Sequence, residues 1–97
     1  MNPLNYSMGI IMKRYGFSKS RMAEKLGLSR PTLNGWLCKN PVPEVCLRKF
    51  ADAMGLSYGD LTSEIRQELE QARSAGRSFK PLMVTKTVAY NIEGANE

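Results

Sequence analysis

The sequence predicts a mainly α-helical fold, in which five helices form one small domain and a single β-strand follows them. Three observations support this prediction. Apolar residues recur at helical spacing through most of residues 3–75, and the tripeptide glycine–apolar–serine occurs three times, at 16–18, 27–29 and 55–57. Residues 82–92 alternate with a period of two, which is typical of a strand. A chain of 97 residues, 42% of them hydrophobic, has material for one modest core.

Each glycine–apolar–serine tripeptide combines the end of one helix with the start of the next. Glycine tolerates the left-handed conformation that ends helices, and serine caps a helix by accepting a backbone N–H. The apolar residue between them has an apolar partner five positions later, which is the spacing of a hydrophobic staple. The three pairs are Phe17 with Met22, Leu28 with Leu33, and Leu56 with Leu61. The tripeptides predict helix 2 over residues 19–26, helix 3 over 30–38 and the start of helix 5 at 58.

Apolar spacing and proline positions predict the remaining boundaries. Pro3 suits the first turn of a helix, and the apolar residues that follow it share one face. Residues 40–43, Asn-Pro-Val-Pro, cannot lie inside a helix, so we expect a loop there. Gly76 is expected to follow the end of the last helix. The predicted ranges are 3–15 for helix 1, 43–54 for helix 4 and 58–75 for helix 5.

The alternating segment from Leu82 to Ile92 is the only strand that the sequence predicts. A lone strand leaves its backbone donors and acceptors unpaired, so we expect a partner outside its own chain. The expected arrangement is an antiparallel pair with the same strand of a second subunit, which makes residues 77–97 a dimerisation extension of a helical domain at 1–76. Dimerisation is assigned to the apolar residues Val84, Val88, Tyr90 and Ile92. A disordered end is the alternative for this extension.

Residues 18–37 have the spacing of a helix-turn-helix. Ala23 is small enough for two helices to cross closely, and Gly27, four residues later, suits the turn between them. In this motif the second helix, here helix 3, reads bases in the DNA major groove. The charge distribution agrees with a polyanionic partner, because residues 1–50 carry nine basic and two acidic side chains, a net charge of +7. Residues 51–97 carry five basic and seven acidic side chains, a net charge of −2.

Residues 4–70 resemble the five-helix domain of the lambda-repressor/Cro group, often called the Xre-type family. The resemblance rests on Ala23, Gly27, Leu33 and Trp36, and on the stretch from Pro43 to Leu61. It implies binding to double-stranded operator DNA as a two-fold symmetric dimer, with helix 3 as the recognition helix. The implied base contacts are Arg30, Pro31, Thr32 and Asn34, and the implied phosphate contacts are Lys19, Arg21, Ser29 and Lys39.

The chain departs from this group at Gly35, where many relatives carry a base-reading side chain. The departure implies either that fewer bases are read or that the DNA approaches the helix backbone closely. Leu37 stands where relatives often have a glutamate, which removes a structural salt bridge but not the DNA-binding surface.

Together these observations favour a sequence-specific transcriptional regulator, of the type of the small phage, prophage or plasmid repressors that bind inverted repeats as homodimers. Its regulation is expected to depend on concentration or on a regulatory protein partner. Two alternatives stay open. One is an antitoxin-like module whose C-terminal extension engages a partner protein, with DNA autoregulation secondary. The other is a restriction–modification controller, although such proteins usually end near the helices.

The composition argues against other classes of protein. The chain has no histidine, no Cys-x-x-Cys pair and no glycine-rich phosphate loop, so we expect no metal site, no cofactor and no enzyme activity. No apolar run approaches the roughly 18 residues of a membrane span, and no export signal opens the sequence, so we expect a cytoplasmic protein with no membrane partner. Cys38 and Cys46 are expected to be small buried hydrophobes.

Overall fold

The structure, a computed structural model, describes residues 2–86 as five α-helices and a two-stranded parallel sheet. In chain order the elements are α1 (Pro3–Arg14), α2 (Lys19–Leu26), α3 (Arg30–Leu37), β1 (Val42–Pro43), α4 (Glu44–Met54), α5 (Tyr58–Ser74) and β2 (Val84–Thr85). The prediction of five helices is confirmed, and no helix boundary differs from its predicted position by more than one residue. None of the helices described is long and apolar enough to cross a membrane.

All three glycine–apolar–serine tripeptides have the predicted geometry. The glycines have φ values of +83°, +70° and +74°. The backbone N–H of the apolar residue that follows each glycine donates to a carbonyl of the preceding helix, with N···O distances of 2.8, 2.8 and 2.9 Å. Each serine Oγ accepts the backbone N–H three residues later, at 3.1, 3.2 and 3.0 Å. The helices that these tripeptides join therefore follow one another through very short turns.

All five helices contribute buried residues to the core, including Met22 and Ala23 of α2, which packs against α4. Phe50 of α4 is the largest fully buried side chain, and Leu33 and Leu37 of α3 are fully buried as well. Trp36 is half-buried and meets the Phe50 ring edge-on, with ring centroids 5.9 Å apart and an interplanar angle of 76°. Fully burying a leucine side chain contributes about 1.5–3 kcal/mol, so Leu33 and Leu37 hold α3 in place mainly through its apolar face.

An ion-pair cluster joins α1 to α5. Arg14 donates to Glu64 at 2.6 Å and also to Glu68, and the Tyr15 hydroxyl donates to Glu64. Glu68 is only 8% exposed, and a carboxylate that buried requires a partner. The two glutamates lie 50 and 54 residues from Arg14 in sequence, so no local pattern predicts these pairs. The cluster also neutralises Arg14, one of the nine basic residues in the N-terminal half of the chain.

The strand pair corrects the expectation for the C-terminal strand. β2 pairs in parallel with β1 of the same chain, with Val42 opposite Val84 and Pro43 opposite Thr85. The expectation that the backbone of Val84 pairs with a strand outside the chain is therefore wrong, and the expectation of a loop is wrong for Val42 and Pro43. The prolines on either side of Val42 argued against a strand, because proline has no N–H to donate. Val42 has one, and it donates to the Met83 carbonyl at 2.8 Å. The other residues assigned to dimerisation lie outside the described residues: Val88, Tyr90 and Ile92.

Residues 77–86, called the C-terminal segment below, lie against the helical domain. The ring of Phe79 contacts that of Tyr6 in α1, with centroids 4.9 Å apart. The side chains of Leu82 and Val84 are half-buried against the core. The described part of the predicted extension is thus attached to the same core as the five helices.

The loop between α3 and β1 holds the C-terminal segment through one side chain. The Asn40 amide donates from Nδ2 to the Pro81 carbonyl at 3.1 Å, and its Oδ1 accepts the Met83 N–H at 2.9 Å. An asparagine side chain carries the same donor and acceptor groups as a peptide unit, so Asn40 extends the β1–β2 pairing by two hydrogen bonds.

Candidate nucleic-acid interface

The turn between α2 and α3 sets the angle of the helix-turn-helix. Gly27 has φ +70° and ψ 31°, and its N–H donates to the carbonyls of Ala23 and Glu24. The Leu28 N–H closes the turn by donating to the Ala23 carbonyl at 2.8 Å. Ala23 is 3% exposed, so little space is left around its methyl group. A larger side chain there would push α2 away from the elements packed against it.

Helix α3 presents one side to the core and the other to solvent. Leu33 and Leu37 are fully buried, and the Ser29 side chain caps the first turn by accepting the Thr32 N–H at 3.2 Å. The exposed positions recur at i, i+4 and i+8 on the opposite side, where a base-reading surface has to lie. The exposed residues of α3 and its C-cap are Arg30, Pro31, Thr32, Asn34, Gly35 and Cys38.

Two of the predicted base contacts are partly engaged within the motif. Arg30 is exposed, and its Nη1 donates to the Ser20 hydroxyl of α2 at 2.6 Å. A guanidinium has five N–H donors, so this hydrogen bond leaves others for a guanine edge. The Thr32 hydroxyl oxygen accepts from Ser29 Oγ at 2.9 Å, which turns it toward the cap.

The other two predicted base contacts are free of side-chain hydrogen bonds in the described part of the chain. Pro31 lies in the first turn of α3, where its fixed φ suits a helix, and its ring is exposed. Asn34 lies one turn further along the same exposed side. Gly35 follows, and a Cβ built on it would meet no atom within 4 Å. Packing does not require glycine at this position.

The predicted phosphate contacts lie at both ends of the motif and, for Ser29, at the start of α3. Lys19 opens α2, and its Nζ donates to Asn5 Oδ1 of α1 at 3.2 Å. Arg21 is exposed, with its guanidinium 6.0 Å from the centre of the Phe17 ring. Lys39 is exposed just beyond the end of α3. The Ser29 hydroxyl bonds Thr32 twice, so a phosphate would have to compete for it.

The charge pattern is sharper in the structure than in the sequence. Arg14 is bonded to Glu64 and Glu68, and Arg48 is bonded to Glu44 at 2.6 Å and lies over the Tyr58 ring. The other seven basic residues of the N-terminal half form no salt bridge with any described residue: Lys13, Lys19, Arg21, Lys25, Arg30, Lys39 and Lys49. Four of those seven are the predicted DNA contacts of the helix-turn-helix.

The two cysteines have different environments. Cys46 is 4% exposed on the buried side of α4, and burial raises the pKa of its thiol. Cys38 is exposed, so the expectation of a buried side chain is wrong there. Cys38 lies one helical turn beyond Asn34, on the exposed side of α3. The expectation of burial rested on the apolar character of cysteine and did not use this position.

Asn2 is a structural residue that the sequence analysis missed. Its Oδ1 caps α1 by accepting the N–H groups of Leu4 and Asn5 at 2.9 and 3.1 Å. Its Nδ2 donates to the Cys38 carbonyl at 2.9 Å and so connects the start of α1 to the end of α3. Asparagine before a proline at a helix start is a capping pattern that could have predicted the first role. The second role depends on tertiary packing.

Comparison with known families supports the motif. A model of the bacterial regulatory proteins of the Fis family matches residues 8–34, which run from the second half of α1 into α3. No curated protein and no solved structure matches the chain significantly. The chain therefore carries a helix-turn-helix DNA-binding domain, with a family match other than the lambda-repressor/Cro group that its sequence resembles.

Proposed function

We propose that the chain is a sequence-specific transcriptional regulator, of the type of the small phage, prophage or plasmid repressors of the lambda-repressor/Cro group. The exposed side of α3 carries this proposal. It presents a guanidinium at Arg30 and a carboxamide at Asn34, while the opposite side is fixed in the core by Leu33 and Leu37. As a regulator of transcription, the protein would act in the cytoplasm.

Recognition would follow from the donor and acceptor pattern of these side chains. Arg30 has the fork geometry for the O6 and N7 atoms of guanine, and Asn34 suits the N7 and N6 atoms of adenine. Pro31 and the methyl group of Thr32 offer apolar contact to a thymine methyl. Lys19, Arg21, Ser29 and Lys39 would fix the register through phosphates.

A dimer would place two copies of α3 in successive major grooves, about 34 Å apart, on an inverted repeat. We assign dimerisation to Val84, Val88, Tyr90 and Ile92, with Val84 contributing its side chain because its backbone pairs with Val42. Deleting residues 87–97 leaves β2 in place, and sedimentation of this variant should then show a monomer. A dimer that persists without these residues would contradict the assignment.

Selection of bound duplexes from a random pool, followed by titration across salt concentrations, tests the DNA-binding role. Arg30→Ala should cost about 1–3 kcal/mol and relax the preference at one position of the site. Lys19→Ala should weaken binding to all sequences evenly and flatten the salt dependence. Lys49→Ala removes the same charge from an exposed site on α4 and serves as the control. Wild-type specificity in Arg30→Ala would contradict the assignment of α3.

A protein-binding, antitoxin-like role is the second candidate, and one feature favours it. A groove of about 300 Å³ lies between α5 and the C-terminal segment, with Leu69, Leu82 and Val84 in its lining and Arg66 and Arg73 on α5. Apolar walls with charged neighbours suit an extended peptide of a partner protein. Backbone NMR spectra of the free chain and of the chain bound to a captured partner protein test this role. Binding in the groove should change the chemical shifts of groove residues and leave those of α3 unchanged.

A further inference from the structure

Three cations lie around the first turn of α1, and a fourth follows them in the C-terminal segment. Lys19, Lys39, Arg77 and Lys80, called the basic rim below, come from α2, from the loop after α3 and from the C-terminal segment. They are separated by up to 61 positions in sequence, yet hydrogen bonds and ring contacts bring their surroundings together around α1.

Two hydrogen bonds connect this turn to the helix-turn-helix. Lys19 Nζ donates to Asn5 Oδ1 at 3.2 Å, which places the first residue of α2 beside α1. Asn2 Nδ2 donates to the Cys38 carbonyl at 2.9 Å, and Lys39 is the next residue. The first turn of α1 therefore spans the distance between the start of α2 and the end of α3.

Two contacts connect the same turn to the C-terminal segment. The Arg77 guanidinium lies 5.5 Å from the centre of the Tyr6 ring. The centroids of the Phe79 and Tyr6 rings are 4.9 Å apart. Stacking on an aromatic face holds an arginine in place while leaving its N–H edge free for an anion.

The loop after α3 completes the connection. Asn40 bonds the Pro81 carbonyl at 3.1 Å, and these two residues adjoin Lys39 and Lys80 in sequence. Lys39 therefore precedes the donor residue of this hydrogen bond, and Lys80 precedes the acceptor residue. Both lysines are exposed.

The basic rim has no neutralising partner in the described part of the chain. None of its four cations forms a salt bridge there, in contrast to Arg14 and Arg48. Helix α1 contains no acidic residue, and its N-terminus adds the positive end of a helix dipole. Four unpaired cations on neighbouring segments favour an anion with charges along a line, as in a nucleic-acid backbone.

We propose that the basic rim binds the DNA backbone beside the major groove that α3 enters, so that Arg77 and Lys80 contact phosphates. This proposal rests on the proposed function and extends the interface from the helix-turn-helix to the C-terminal segment. Lys39, at the exit of α3, meets the phosphates at the edge of the groove, and Lys80 and Arg77 continue the row. The C-terminal segment then binds DNA with residues 77–80, whichever partner its later residues engage.

The salt dependence of binding to a duplex of random sequence tests the proposal, measured by fluorescence anisotropy. Each phosphate contact contributes about 0.9 to the slope of log K against log salt, or about eight-fold in affinity at 0.1 M salt. Arg77→Ala and Lys80→Ala should each lose about that much, and the double variant about twice as much in the slope. Arg77→Lys keeps the charge and should keep most of the slope.

Lys13→Ala is the matched control, because Lys13 is an exposed cation at the far end of the same helix. Equal losses in Lys13→Ala and in the rim variants would show an effect of net charge alone and overturn the proposal. A wild-type slope in the double variant would overturn it as well, while Arg30→Ala would still report on the proposed function. A wild-type chain that binds no duplex would overturn both. Arg77→Ala also removes the packing of Arg77 on Tyr6, so a thermal melt of each variant is needed to detect lost stability. Lys80→Ala leaves that packing in place, so its effect on the slope reports the phosphate contact.

Discussion

In the helix-turn-helix, the side-chain hydrogen bonds that cap α2 and α3 join residues three apart in sequence. In the C-terminal segment, the hydrogen bonds of Asn40 span 41 and 43 residues. The first region is therefore shaped mainly by neighbouring residues, whereas the conformation of the second depends on contacts with distant parts of the folded helical domain. The two regions should differ in stability as well as in how far their sequences predict them.

The burial of the two regions supports this difference. Met22, Leu33 and Leu37 of the helix-turn-helix are fully buried, whereas Leu82 and Val84 of the C-terminal segment are only half-buried. Segments with few buried contacts and exposed hydrogen bonds open at a lower free energy than the core. We therefore expect residues 77–86 to detach locally while the five helices remain folded.

The largest expected effect comes from the core of the recognition helix. Leu33→Ala removes a fully buried side chain and should destabilise the whole domain by about 2–5 kcal/mol, measured by urea denaturation followed by circular dichroism. Leu82→Ala makes the same chemical change in the C-terminal segment and should cost less than half as much. Equal losses in the two variants would contradict the proposed difference between the regions.

The second effect concerns two glycines with positive φ, one in the turn of the helix-turn-helix and one just before the C-terminal segment. Gly27→Ala forces a side chain into a left-handed conformation with φ +70°, and should cost about 1–2 kcal/mol of global stability. Gly76 has φ +90° and precedes the C-terminal segment. Gly76→Ala meets the same strain, but detachment of the segment can relieve it, so its global cost is limited by the docking free energy. A full global loss in Gly76→Ala would show that the segment is an integral part of the core.

The third effect isolates the connection between the two regions. Asn40→Ala removes both hydrogen bonds to the C-terminal segment, and should release that segment at a cost of about 1 kcal/mol. Faster amide hydrogen exchange at Val42, whose N–H donates to Met83, would report the release. Amides in α3 should keep their protection. Asn5→Ala, which removes an asparagine that bonds only Lys19 through its side chain, is the control.

The same contrast explains what the sequence could predict. Gly27, Ser29 and Leu33 act on residues within five positions of themselves, so their spacing was enough to place α2 and α3. The partner of Val84 lies 42 positions earlier, in a segment whose two prolines argued against a strand. The Asn40 bonds and the basic rim likewise depend on how distant segments pack. A period-two pattern indicates a strand, but it contains no information about which edge the strand will join.

The candidate site divides along the same line. Arg30, Asn34 and Lys19 could be chosen from their places in a helix-turn-helix, because that motif fixes which positions face the groove. Arg77 and Lys80 could not, because the position of their segment depends on the Tyr6–Phe79 contact and on Asn40. A charge count by sequence half likewise cannot show that Arg14 is neutralised by Glu64 and Glu68 of the other half.

The smallest expected effect tests why the recognition helix contains a glycine. Gly35 has ordinary helical geometry and open space around it, so Gly35→Ala should stabilise the domain by about 0.5–1 kcal/mol, measured by urea denaturation. Gly9→Ala makes the same change in α1, again with no atom near the new Cβ, and should stabilise by a similar amount.

DNA affinity then decides what the stability cannot. If DNA approaches the α3 backbone closely at Gly35, the new methyl group will weaken operator binding in Gly35→Ala but not in Gly9→Ala, although both variants are more stable. A gain in stability with unchanged affinity in both variants would mean that the DNA does not reach Gly35. Reading would then rest on Arg30, Pro31, Thr32 and Asn34, and the backbone of α3 would contribute no contact of its own.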